Sequence, residues 1–148
     1  MTFKKKVFDR YMSLLDDKIR SLENILRELE EGAQNDNKSS AGDKHETARA
    51  MMQLEQEKIS KQLAEAILQR AALEKLGNTS GRVIKPGSLI RTNKGVLYLG
   101  ISPAKIYTEE INVFVMSSLS PLGQKLLGLK AGDKAEMNGS IYEIESVE

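Results

Sequence analysis

FKKKVFDRYMSLLDDKIRSLENILRELEE, residues 3–31, places apolar side chains at Phe8, Met12, Leu15, Ile19, Leu22, Leu26 and Leu29. The steps between them alternate four and three. That is a repeat of about 3.5 residues, the seam of a coiled coil. Leu14 and Ile25 widen the stripe, the other faces are charged, and no Pro or Gly interrupts the run. The spacing predicts a long helix that cannot bury its seam alone.

Its partner lies downstream. Residues 32–42, GAQNDNKSSAG, are rich in residues that favour turns and predict a loop. Helical spacing resumes near residue 44 and continues to Leu76, with Met52, Ile59, Leu63, Ala66 and Leu73 as the seam and Ile67 beside it. Gly77 and Asn78 supply a stop. Two such helices with a short connection fold back antiparallel. At 1.5 Å per residue a 30-residue helix reaches about 45 Å, so the polar loop is expected at the far tip of an arm. Each seam is used by the other helix, which predicts a monomer or a weakly associating chain.

The period changes after residue 80. GSLIRTNKGVLYLGIS (87–102) reads as a hairpin around Asn93, Lys94 and Gly95. INVFVMSS (111–118) and SIYEIESV (140–147) read as further strands. Between them, Ser120 can cap a short helix, Pro121 suits its first position, and Gly128 can end it. Four or five strands and one short helix make a small domain. The predicted class is α+β: an antiparallel coiled-coil arm over 1–78 with a tip loop at 32–43, then a β-rich domain over 79–148.

Composition narrows the function. The chain has 148 residues, 40% hydrophobic and 29% charged, with a net charge of +1 and no cysteine. That balance excludes a disordered chain, a disulfide scaffold and cysteine-ligated zinc, and argues against gripping duplex DNA by bulk charge. No apolar run suits a membrane span, and no apolar segment follows the basic cluster of residues 4–6, so no signal peptide is read. A cytoplasmic location is the expectation. Residues 77–108 hold five basic residues, Arg82, Lys85, Arg91, Lys94 and Lys105, and no acid. Either a basic patch on the first hairpin or ordinary solvated strand faces would account for this.

Self-contained catalysis is a poor fit. His45, a first-turn residue of the arm, is the one histidine; no Ser-His-Asp triad is read, and a multi-histidine metal centre is excluded. Asp43 and Glu46 are three residues apart where the second helix starts. Asp-x-x-Glu is a capping-box spacing, and acids favour a helix N-terminus. Ser40-x-x-Asp43 is a second possible box, which would leave Glu46 free. The other reading is that the two carboxylates complete the shell of a Mg²⁺ held mostly by another molecule, since Mg²⁺ commonly takes one or two protein carboxylates.

SPLGQKLLGLKAGD (120–133) closely resembles the hallmark S-P-[IL]-G-x-x-L-[LM]-G-K-x-x-G-D of the Gre-type bacterial transcript cleavage factors, GreA and GreB. GDKHETA (42–48) resembles their tip motif G-D-L-x-E-N-A-E-Y, with Gly42, Asp43, Glu46 and Ala48 in place. GSIYEIESVE (139–148) is similar to the last strand of their FKBP-like C-terminal domain. The resemblance implies an FKBP-like fold for 79–148 without prolyl isomerase activity. It implies RNA polymerase as partner, with the arm in its secondary channel and Ser120, Pro121, Leu122 and Gly123 in the polymerase-binding region. It implies that Asp43 and Glu46 face a Mg²⁺ of the polymerase active site, near the nascent RNA 3′ end, and stimulate cleavage of backtracked RNA there. No cofactor is then bound by the chain alone, and the chain is not itself an enzyme.

The tip departs from the motif. Lys44 stands for Leu, Thr47 for Asn, Arg49 for the third acid and Ala50 for its aromatic neighbour. A channel-binding inhibitor without cleavage stimulation is therefore a second expectation. A coiled-coil structural adaptor is a third. An FKBP-like chaperone or isomerase is a fourth, for which Tyr98, Tyr107, Phe114 and Tyr142 are the few aromatics available to line a proline pocket.

Overall fold

The structure, a computed structural model, describes the backbone of residues 1–36 and 42–148 and the side chains of 1–32 and 44–148. Two long helices come first: α1, Phe3–Asp36, and α2, Gly42–Leu76. Six strands follow, β1 (Leu89–Thr92), β2 (Gly95–Gly100), β3 (Ala104–Thr108), β4 (Ile111–Ser117), β5 (Lys134–Met137) and β6 (Ser140–Val147), with the short helix α3 (Pro121–Leu126) between β4 and β5. This is the α+β class, a helical hairpin and a β domain. The chain divides into two compact units, one of Leu14–Arg70 and one of Met1–Ser13 with Ala71–Glu148.

In the helical unit, Leu22, Ile59 and Ala66 are buried together, with Ile19, Leu26, Leu29 and Leu63 packed around them. Asp16 pairs with Arg70, and a side chain on Gly32 would meet Met52. These contacts run in opposite directions along the two helices, so they are antiparallel. The helices reach further into the polar segment than its composition predicts. α1 continues through Gly32 to Asp36 and α2 is already helical at Gly42. One Gly in a helix costs only about 1 kcal/mol, which the surrounding turns offset. The centre of the predicted tip loop, residues 37–41, lies outside the described residues.

In the other unit the strands lie in the order β3-β4-β2-β1-β6-β5. Neighbours are antiparallel except β2 and β4, which run parallel. The predicted hairpin is β1–β2, closed where Thr92 faces Gly95. β3 and β5 are strands the sequence reading did not separate. One sheet face buries Ile90, Leu97, Leu99 and Ile144 with Leu126 of α3. The opposite face carries Tyr98, in register with Val115. Its ring meets Tyr11 of α1 edge-on, with centroids 6.0 Å apart. A side chain on Gly100 would come within 2.7 Å of Val115 and 2.8 Å of Tyr11. The sheet is therefore covered on both faces, which is why Leu97 through Gly100 are all buried.

The first turns of α1 obey the sheet rather than the coiled-coil seam. Val7 and Tyr11 are fully buried, whereas Phe8 and Met12, the predicted seam positions, are half-buried. The Tyr11 hydroxyl donates to the Ser102 carbonyl at 3.0 Å and accepts from the Ser102 and Ile101 amides at 3.0 and 3.3 Å. One side chain thus satisfies three backbone groups of the β2–β3 connection.

Candidate functional site

Glu46 is exposed, and no hydrogen bond or ion pair engages it among the described residues. α2 begins at Gly42, so Asp43 is its second residue and Glu46 its fifth. The residue before α2 lies outside the described residues, so the capping readings of Asp43 and of Ser40 fall outside them too. The side chain of Asp43 also lies outside them. Positions 43 and 46 belong to one helix and are three apart, on one side of it.

The neighbouring cations differ in placement. Arg49 is three residues beyond Glu46 and therefore on the same side. Lys44 is two residues before it, close to the opposite side at about 100° per residue. There Lys44 lines a shallow hollow with Thr47, Ala48 and Met51. Both cations are exposed. Among the described residues no three acids or histidines gather as a metal site. Glu46 is one free carboxylate, a fit ligand for a hard dication whose other ligands come from elsewhere. His45 is half-buried.

Ser120 to Gly123 are each accounted for by the fold. Ser120 is the N-cap of α3: its Oγ accepts from the Gly123 amide at 3.1 Å and donates to the Ser117 carbonyl at 2.7 Å. Pro121 occupies the first turn, where its missing N–H costs nothing. Leu122 packs against the core of Leu126 and Ile90. Gly123 is required by close approach, since a Cβ there would overlap the Ser117 carbonyl oxygen and lie 2.9 Å from Ser120 Oγ. The rest of the segment is architectural too. Gly128 has φ +84° and its amide donates to the Ile84 carbonyl at 2.9 Å. Asp133 accepts from the Lys130 amide at 2.9 Å. The segment also has an exposed side, with Pro121, Gln124, Lys125, Lys130 and Ala131 on it, and before it Leu119, which is 81% exposed.

The predicted basic patch is not a single surface. Arg91 is in register with Val96, Val113 and Ile106, whereas Lys105 is in register with Phe114 on the opposite face. Arg91 lies 4.9 Å over the Phe3 ring and Lys105 lies 5.6 Å over the Phe114 ring. The aromatics are divided in the same way. Tyr98 is buried on one face and Phe114 is exposed on the other, so they do not line one pocket. Sequence reading missed Leu119, and it missed Phe114 and Tyr107 as exposed apolar groups. Period-two alternation would have found Phe114, which lies between the buried Val113 and Val115.

No family model matches the chain, and no curated protein matches it. Among solved structures it is similar to the crystal structure of GreA factor homolog 1 of Thermus thermophilus. That match has 19% identity, covers 95% of this chain and 94% of the other, and has a TM-score of 0.35. At that TM-score it carries no argument about function.

Proposed function

We propose that this chain binds bacterial RNA polymerase and presents the start of α2 to the polymerase active site, where Asp43 and Glu46 stimulate hydrolysis of backtracked RNA. The observation that carries this reading is the free, exposed carboxylate of Glu46 in the first turns of a 35-residue helix paired with a 34-residue one. The likeness of residues 42–48 and 120–133 to the Gre motifs supports it. A thin helical pair about 50 Å long suits entry into a channel. Mg²⁺, when bound by the polymerase, supplies an activated water and stabilises charge on the phosphate. Glu46 contributes negative charge to that shell and accepts a hydrogen bond from the attacking water. Arg49, on the same side, is placed to contact RNA phosphate.

Arg49 also favours a second reading. A cation beside Glu46 weakens the field that would hold a dication, which suits a channel binder that blocks cleavage. A stalled, backtracked complex with 3′-labelled RNA separates the two. Added protein releases short 3′ fragments in the first reading and suppresses intrinsic release in the second. Asp43→Asn with Glu46→Gln should abolish stimulation by about a hundredfold while binding to core polymerase persists. Absence of polymerase binding would sink both readings.

A further inference from the structure

A second stripe runs along α2 outside the seam. Met51, Leu54 and Leu68 are 65%, 65% and 70% exposed. Lys58, Lys61 and Glu65 are exposed too. Together they occupy positions 51, 54, 58, 61, 65 and 68, whose steps of three and four keep them on one face. That face lies roughly a third of a turn or more round the helix from Ile59, Leu63 and Ala66. None of the three charged residues has an ion-pair partner among the described residues.

We propose that this stripe docks on the same stripe of a second copy of the chain, antiparallel, about a two-fold axis beside Lys61. The stripe is complementary to itself in that register and in that direction. Leu54 and Leu68 are equidistant from residue 61, so each Leu54 meets Leu68 of the second copy. Lys58 and Glu65 are within one residue of equidistant, so each Lys58 meets Glu65 of the second copy, and symmetry makes both contacts twice. A parallel pairing instead sets Lys58 against Lys58 and Glu65 against Glu65. The antiparallel register has one unfavourable feature: the two Lys61 ammonium groups face each other across the axis. A narrow patch with like charges at its centre makes a weak, concentration-dependent dimer. It uses none of the seam residues, so it is compatible with an intact hairpin. It also stands independently of polymerase binding.

The test is sedimentation equilibrium of the full chain over a wide concentration range, with helical circular dichroism as the folding control. The wild type should show a reversible monomer–dimer equilibrium. Lys58→Glu should raise the dissociation constant at least about tenfold, and Lys58→Glu with Glu65→Lys should return it to within about threefold of wild type. Lys61→Leu removes the central repulsion and should lower it about tenfold or more. This variant decides the matter should the charge reversals disturb folding. A wild type that stays monomeric at about 1 mM, a dimer indifferent to Lys58→Glu and Lys61→Leu, or a double reversal that fails to restore association overturns the proposal. Loss of polymerase binding in these variants without any change in self-association would assign the stripe to polymerase instead, and would also overturn it.

Discussion

The helical unit and the sheet unit use their residues differently. Around the sheet, the buried and half-buried residues of the conspicuous segment 120–133 have tasks in the fold: a cap, a core contact, a close approach, a turn. Among its described residues the helical unit buries little: Leu22, Ile59 and Ala66 as a core cluster, and Leu15. Each of its helices has a single partner, so most of its surface is unexplained by packing. Glu46, Arg49 and the stripe from Met51 to Leu68 belong to that surface. The most recognisable motif thus includes residues that the fold needs, whereas the exposed residues of α2 lie where the sequence signal is weaker.

Perturbing each unit in turn tests that contrast, and the chain carries its own probes. It has no tryptophan, and its four tyrosines, Tyr11, Tyr98, Tyr107 and Tyr142, all lie in the sheet unit. Tyrosine fluorescence therefore reports that unit alone, while helical circular dichroism reports mainly α1 and α2. The largest effect is expected from Gly123→Ala. The added methyl group meets backbone rather than a movable side chain, so the cost should be about 3 kcal/mol or more. A loss below about 1 kcal/mol in the tyrosine-detected melt would mean that the Ser117 carbonyl yields easily, and the segment would be less tied to the fold than argued.

Next comes Leu22→Ala in the helical unit, expected to cost about 2 kcal/mol, at the low end for a core leucine because so small a core leaves little cavity. The helical signal should melt earlier and the tyrosine signal should hold. Simultaneous loss of both would show that the two units unfold as one.

A pair of tyrosine variants sharpens the picture of the sheet. Tyr11→Phe removes a hydroxyl that serves three backbone groups and should cost about 1–2 kcal/mol. Tyr98→Phe should be close to neutral, because the buried Tyr98 hydroxyl has no hydrogen-bond partner among the described residues. Burial, with Tyr11 alongside, pushes the Tyr98 phenol up to about 12 from its usual 10. The folded state then holds the proton more tightly than the unfolded state. Stability is intact below pH 10 and falls as pH rises from about 10 towards 12. Tyr98→Phe should flatten that part of the denaturation profile. An unchanged slope in the variant would place the alkaline sensitivity elsewhere.

The smallest effect on melting belongs to Asp43→Asn with Glu46→Gln. Lost interaction with the helix dipole should cost at most about 1 kcal/mol at an exposed end. A larger loss would mean that the acids hold the helix start and would bring them into line with the architectural residues of the sheet unit.

What was legible in the sequence follows the range of the forces involved. Leu15, Leu22, Ile59 and Ala66 declare themselves by spacing, because a neighbouring helix at constant distance reads the same face turn after turn. The β1–β2 hairpin and the Ser120 cap are equally local. Val7 and Tyr11 were not legible, since a sheet formed more than seventy residues later decides which side of α1 is buried there. β5 buries only Ala135 and so carries no alternation to detect. The helical ends at Asp36 and Gly42 escaped because turn-forming residues lower helix propensity by amounts that two paired helices override. At the candidate site, spacing located Asp43 and Glu46 together and raised the capping alternative. It had no means of separating Lys44 from Arg49 until the helix start fixed which side of α2 each occupies.

The sheet unit is assembled from two stretches of chain, Met1–Ser13 and Ala71–Glu148, with the helical unit inserted between them. During synthesis Val7 and Tyr11 emerge early, while the strands they cover do not yet exist. α1 and α2 can pair once residue 70 has been made. β1 must wait for β6, its antiparallel neighbour, which is made roughly fifty residues later. The apolar base of α1 therefore stays uncovered until those strands have been made. A domain cut at residue 79 reproduces that unfinished state permanently: Tyr98 and Gly100 keep their sheet and lose the helix that lies against it.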